Sequence, residues 1–359
     1  MARLGAGAAR SGRQYRELCE DRRGGVLRRA VLRHGTASGR PRATALAGRP
    51  VLVEHVGPAA ATLLLPVRRG SDRVRGGEPR DARPHPSGGD RIVPLTGFTI
   101  PRSPGGRASI VPYPPWHYVG DFLVVEYWAD PEKAVSCLPA GLDPHPDAGR
   151  CAAVFADWQS CSESGGELLD PSRSQYKEVF LVVNALLDGE EVTTCPFIWV
   201  DRDFALTRGW LQGFPKKLGS IWITRTFGLE SPADPGVKAG ATFGGTCAAY
   251  ERRVAEATVT LERLSEAGPT HNDPPIVNVR HFPRLEAGRH DDPAVHELAR
   301  SRSRSRVVSP VWEGSATLDL FGAAHEEHDL LAPVRVGKGF RFTFGYTVDD
   351  QEIVKDLRA

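Results

Sequence analysis

All seven tryptophans and all fourteen phenylalanines of this 359-residue chain lie beyond residue 91. That asymmetry decides where a core can form. Residues 1–91 hold a single aromatic, Tyr15, among many Arg, Gly, Ala and Pro. They carry 19 arginines, no lysine and 8 acidic residues, a net of +11, whereas the remainder is acidic at −9. Such a stretch cannot bury enough apolar surface to offset the entropy of ordering. The expectation is a disordered leader over 1–91 and one folded domain over 92–359. An over-extended start, with the sensible sequence beginning after Val93, is the preferred account of the leader. Eight acidic residues and the lack of an amphipathic period weigh against a transit peptide. A nucleic-acid-binding arm is a lesser alternative, so no nucleic-acid partner is expected.

Six cysteines are scattered through the chain, and none forms a C-x-x-C pair. Scattered cysteines in a large domain read as reduced thiols, which points to the cytoplasm. The chain has no apolar run of about 18 residues, so no membrane span is expected.

The downstream part reads as short strands and turns. Phe122–Trp128, Cys151–Gln159, Tyr176–Leu187 and Val192–Val200 are rich in β-branched and aromatic residues. Asp188-Gly189 between the last two is a hairpin signal. Further strands are expected at Ser220–Phe227, Ala241–Tyr250, Ala255–Leu264, Arg304–Pro310, Gly314–Phe321 and Arg341–Val348. A short helix starts at Pro131, with Asp130 as its N-cap. About ten short strands with few helices predict a mainly β fold, an antiparallel barrel or sandwich.

Two motifs invite over-reading. Ser301-Arg302-Ser303-Arg304-Ser305-Arg306 looks like an Arg-Ser tract. A period of two instead predicts a half-exposed edge strand with Ser on one face and Arg on the other. His325-Glu326-Glu327-His328 has a spacing of three, where metal pairs on a helix prefer four. It reads as a solvated turn, and no metal site is expected.

The segment that carries chemistry is Leu211-Gln212-Gly213-Phe214-Pro215-Lys216-Lys217-Leu218-Gly219. Two adjacent lysines here sit among apolar and turn residues, with Trp210 and Phe214 before them and Ile221 and Trp222 after. Burial and a like charge both favour loss of a proton from one of them. A neutral amine can attack a carbonyl. Only about 0.04% of an unperturbed lysine is neutral at pH 7, against about half if its pKa falls near 7.

This segment resembles the signature of the acetoacetate decarboxylase family. That family's lysine is a standing example of activation by a cationic neighbour, so the mechanism is the family's and not a result of this sequence. The resemblance implies that Lys216 forms a Schiff base and that Lys217 is the perturbing cation. Pro115–Asp130 resembles the family's first strand, and Tyr176-Lys177-Glu178 its Tyr-x-Glu, whose glutamate reaches the active site. Val295–Leu298 and Leu318–Phe321 are similar to late strands of the same fold. Alternation puts Tyr176, Glu178 and Phe180 on one strand face. The candidate catalytic residues are therefore Lys216, Lys217 and Glu178. Tyr176, Phe155, Asp157, Trp210 and Phe214 are candidates for contacting substrate.

The substrate-reading groups depart from the family pattern. Tyr118–Phe122 lacks the family's early arginine. Phe155 is followed by Ala156 before Asp157, and the family's Gly-Arg-Glu reads Arg208-Gly209-Trp210. The resemblance thus implies a barrel-like cone, a homo-oligomer and a cofactor-free lyase acting on a keto acid, nominally a β-keto acid decarboxylase. An aldolase-dehydratase on pyruvate-like 2-oxo acids is the alternative within enzymes. A barrel that binds a small carbonyl compound without turnover is the alternative outside them.

Overall fold

The computed structural model describes residues 94–270 and 274–358. The expected leader at 1–91 lies outside the described residues. In chain order the strands begin with β1 (Trp116–Ala129), β2 (Asp143–Pro144), β3 (Arg150–Ser162), β4 (Gln175–Leu187) and β5 (Glu190–Val200). Next come β6 (Lys216–Leu218), β7 (Ser220–Ile223), β8 (Thr242–Ala249), β9 (Arg252–Leu264) and β10 (Val277–Phe282). The series ends with β11 (Val295–Val308), β12 (Trp312–Leu320) and β13 (Pro333–Asp356). Helix α1 (Pro131–Ser136) follows β1, and α2 (Asp203–Gln212) lies between β5 and β6.

The fold is mainly β, as expected. The sheet runs in the order β6-β5-β4-β3-β1-β13-β12-β9-β8-β7. Its two end strands are β6 and β7, which are consecutive in sequence and joined by Gly219 alone. The Gly219 N–H donates to Val200 O at 2.8 Å, tying this joint to β5. A sheet whose first and last strands meet in this way is a nearly closed barrel, and closure removes most of the open edge. The pair β10–β11 branches off, with β11 hydrogen-bonded to the far half of β13.

Strand alternation divides the apolar residues into two cores. Leu123, Val125, Phe155, Val179, Trp199, Phe243 and Val259 belong to the first. They come from strands near both ends of the sheet order, so this core is the inside of the barrel. Phe155 on β3 and Gly245 on β8 touch across it: a Cβ at Gly245 would meet Phe155 Cδ1 at 2.6 Å. The second core holds Phe122, Val124, Val154, Trp158, Tyr176 and Ile198, with Phe204 and Ala205 of α2. It lies on the outside of one half of the barrel, under α2. Strands β1, β3, β4 and β5 are therefore buried on both faces, which explains their near-continuous apolar sequences.

Local signals in the sequence hold where they have a mechanism. Asp130 caps α1 by accepting a hydrogen bond from the Lys133 N–H, with Pro131 in the first turn. Asp188 and Gly189 both have positive φ, 51° and 85°, in the β4–β5 hairpin. Other elements were not expected. Helix α2 buries Phe204, Ala205, Arg208, Gly209 and Gln212. That stripe includes Arg, Gly and Gln, so it does not read as an apolar face. Strands β6 and β10 are short and weakly patterned. Strand β13 spans 24 residues, far beyond the expected Arg341–Val348, because its two halves serve different partners.

The Arg-Ser run is a strand, but its faces are not the expected ones. Register shifts fall between Ser301 and Ser303 and between Arg304 and Val307, and Ser305 has φ of 54°. Bulges of this kind re-aim side chains and break simple alternation. Among the described residues, no helix is long and apolar enough to cross a membrane.

The contact across the barrel gives a direct test. Gly245→Ala should destabilise the domain by about 1–3 kcal/mol, the usual cost of overpacking a filled core. Denaturant unfolding would measure it, and an unchanged midpoint would contradict the packing of Phe155 against β8.

Candidate active site

The site begins at an edge. Helix α2 ends at Gly213, whose φ of 90° suits a residue without a Cβ. Three residues later β6 starts and pairs in parallel with β5, setting Lys216 beside Ile198 and Lys217 beside Trp199. Ile198 faces the outer core and Trp199 the barrel interior. Neighbouring residues of a strand point to opposite faces, so β6 necessarily separates the two lysines.

Lys216 turns into the outer core and is 7% exposed. Its Nζ donates to Glu178 Oε2 at 2.5 Å, and Glu178 is 6% exposed. Glu178, Tyr176 and Phe180 share one face of β4, as alternation predicts. Tyr176 and Phe214 flank the ammonium, with ring centroids 5.5 and 5.7 Å from Nζ. Trp210 is half exposed and stands outside this wall. Its indole N–H donates to Lys216 O at 2.9 Å, so it ties down the β6 backbone. Gly209 on α2 leaves room for the lysine stem: a Cβ there would fall inside van der Waals contact with Lys216 Cγ, Cδ and Cε.

The charge balance at Lys216 differs from the expectation. Burial lowers its pKa most, the Glu178 carboxylate raises it, and the Arg208 guanidinium lowers it again, with a net fall. Lys217 is not among the larger influences on it. Its Nζ lies 2.8 Å from Glu326 Oε1 and donates to His325 O at 3.1 Å, on the other side of the sheet. The turn that receives it is solvated at His325 and Glu327, as expected, but the Glu326 carboxylate and His328 are buried. Glu326 also accepts from Trp199 Nε1 at 3.3 Å. His328 is fully buried, with Nε2 donating to Val254 O at 2.9 Å.

Arg208 is the residue that the sequence reading passed over. It is 4% exposed, donates from Nη2 to Ser160 Oγ at 3.1 Å, and has Tyr118 and Tyr176 rings 4.6 and 5.6 Å from Cζ. It lies four residues after Phe204 and four before Gln212, on the buried stripe of α2, which apolar spacing does not reveal because the stripe holds Arg, Gly and Gln. Trp158, stacked on Tyr176 with centroids 6.3 Å apart, is a second omission. Two expected substrate contacts are elsewhere. Phe155 points into the barrel interior. Asp157 shares that parity of β3 and pairs with Arg225 at 2.9 Å. The Phe–carboxylate pattern that suggested them falls one residue out of register, and one residue is one face.

A cavity of about 500 Å³ adjoins the pair, walled by Phe122, Trp158, Phe180, Phe214, Phe344 and Tyr346. Phe214 borders both the cavity and the Lys216 ammonium. The arrangement offers a buried amine whose pKa is lowered, a carboxylate placed to take its proton, and a buried guanidinium for an anionic group.

Residues 99–357 match the family Acetoacetate decarboxylase (ADC), so the chain belongs to the acetoacetate decarboxylase family. No match is found among curated proteins. Among solved structures, the enduracididine biosynthesis enzyme MppR is 34% identical. Its complex with the condensation product of pyruvate and imidazole 4-carboxaldehyde aligns over 74% of this chain and 98% of that one, with a TM-score of 0.68. An acetoacetate decarboxylase-like enzyme from Sphingomonas wittichii RW1 is 29% identical, covering 73% of this chain and 100% of that one at a TM-score of 0.67. Acetoacetate decarboxylase from Legionella pneumophila, at 20% identity and a TM-score of 0.57, shares the fold; the alignment covers 69% of this chain and 90% of that one.

Two outcomes are expected from this geometry. Gly209→Ala should fold yet displace Lys216, and a misplacement of about 1 Å can cost on the order of 100-fold in rate. Labelling of Lys216 by an activated ester, read by mass spectrometry, checks this; wild-type labelling would contradict it. The same assay against pH separates the two cations. Arg208→Gln should raise the pKa of Lys216 and move the rise in labelling to higher pH, because a repelling charge is lost. Lys217→Ala should leave that rise where it is.

Proposed function

We propose that the protein is a cofactor-independent Schiff-base enzyme acting on a 2-oxo acid such as pyruvate and joining it to an aldehyde. The observation that carries this reading is the buried Lys216–Glu178 pair, with Arg208 as the nearby cation. The Lys216 amine attacks the keto carbon, and loss of water gives an iminium. Arg208 supplies a positive charge for the adjoining carboxylate. Glu178, having taken the lysine's proton and passed it to the departing water, then takes a proton from the carbon next to the iminium. The resulting enamine carbon bonds to the aldehyde carbon. The carbonyl electron pair moves to the aldehyde oxygen, which takes the proton back from Glu178. Loss of that hydroxyl as water, with a proton from the carbon, gives the conjugated iminium. A water molecule then hydrolyses it and frees Lys216.

Two points favour condensation over simple decarboxylation. A carboxylate in contact with Nζ is placed to take a proton from the carbon next to the iminium, a step that condensation needs and decarboxylation of a β-keto acid does not. The cavity is also of a size that holds drug-sized ligands, far more than a four-carbon acid fills. The pyruvate-derived condensation product in MppR is consistent with this reading. Self-association into a homo-oligomer, in the reducing cytoplasm, is part of the same proposal.

Borohydride with pyruvate should fix an adduct whose mass maps to Lys216, and Lys216→Ala should abolish both adduct and turnover. Glu178→Gln should still form the imine but turn over roughly 100-fold more slowly, as for loss of an acid–base group. It also removes the anion that holds Lys216 charged, so imine formation should persist to lower pH. An adduct on another lysine would overturn the assignment.

A further inference from the structure

The cavity beside Lys216 has two ends of different chemistry. Its deep end is a box of aromatic rings, with Phe122 and Trp158 almost completely buried. Its outer end is β11, which contributes Arg300, Ser301, Arg302, Ser303 and Arg306. Residues of both parities reach the cavity because two of the three register shifts between β11 and β13 fall within the run. Glu352 on β13 is the one acidic side chain among the described residues of the lining. It pairs with Arg302 at 2.9 Å, while Arg300 is held at 2.9 Å by Glu190, which lies outside the lining. Arg306 sits with Cζ 5.4 Å from the Phe344 ring centroid, where the aromatic wall meets the arginines.

Counting Glu190, three arginines stand against two carboxylates, a formal excess of one positive charge that favours a negatively charged occupant. The carboxylate of the keto acid is not that group. It is bonded to the carbon that joins Lys216, and the arginine whose charge acts on Lys216 is Arg208. The outer end therefore faces whatever extends away from the reacting carbon. Arginine also reads carboxylates through paired N–H donors, with serine hydroxyls able to complete the set.

We infer that this cavity receives the second reactant and that its preferred class is an aromatic aldehyde carrying a carboxylate. The ring lies among Trp158, Phe180, Phe214 and Phe344, and the carboxylate meets Arg302 and Arg306 with Ser301 and Ser303. This inference rests on the Schiff-base reading above.

The test compares two acceptors of similar size with pyruvate as donor: 4-formylbenzoate and its uncharged counterpart 4-formylbenzamide. In the wild-type protein kcat/KM should favour the acid by about tenfold or more, carried mainly in the KM for the aldehyde. Arg302→Gln removes a cation and releases Glu352 towards the cavity, so the preference should fall. Glu352→Gln removes the opposing charge, so the preference should rise. These opposite signs separate recognition from a general loss of stability. Borohydride trapping with pyruvate alone is run beside them. No adduct overturns the Schiff-base reading, and this inference with it. An adduct without a preference for the acid overturns this inference alone. A preference that neither variant moves overturns its assignment to the outer arginines.

Discussion

A lysine and a glutamate held 2.5 Å apart, both more than nine-tenths buried, is the constraint around which the outer layer of this protein is organised. Removing two charges from water is costly, and their attraction repays it only when the geometry is good and neither group is left alone. The surrounding features serve that geometry. Gly209 opens the space for the lysine stem. Trp210 holds the Lys216 carbonyl. The tight joint at Gly219 fixes a three-residue strand against β5. Tyr176, Phe214 and Trp158 exclude water, which strengthens every charge interaction inside.

The barrel interior is a packed core, and the chemistry sits on its outer face. Burial there comes from α2 and from the β10–β11 branch, not from barrel closure. This division separates two tasks. The inner core, with Phe155, Trp199 and Phe243, supplies stability and can be filled without compromise. The outer core carries Arg208, Glu178 and Lys216 among its apolar residues and keeps a cavity open at its side. The covering strand β11 is bulged and arginine-rich, so the elements that roof the site also set its outer electrostatics.

The lowered pKa of Lys216 has an origin that does not require the lysine next to it. Burial is the largest influence, and Arg208, eight residues upstream, is the cation that adds to it. Lys217 is instead spent on Glu326, on the side of β6 that faces Trp199. A doubled lysine in a strand places one amine on each side of the sheet. Here one side holds the aromatic cavity and the other the turn that supplies Glu326.

The sequence by itself determined the mainly β class, the short strands, the α1 cap, the β4–β5 hairpin and the lysine segment. These depend on local rules, such as period-two alternation, turn residues with positive φ, and capping oxygens. It also placed Tyr176, Glu178 and Phe180 on a common face, because alternation within one strand is local. Tertiary structure decided what those faces meet. It divided Lys216 from Lys217, sent Phe155 into the barrel and Asp157 to Arg225, and brought Arg208 and Trp158 to the lysine. It buried the Glu326 carboxylate and His328 within a turn that is otherwise exposed, and bent the Arg-Ser strand over a cavity. Each of these outcomes depends on which strand lies beside which, on a register shift of one residue, or on packing between segments far apart in the chain. A single sequence does not specify such long-range pairings through spacing alone, because one residue of slip exchanges the two faces of a strand.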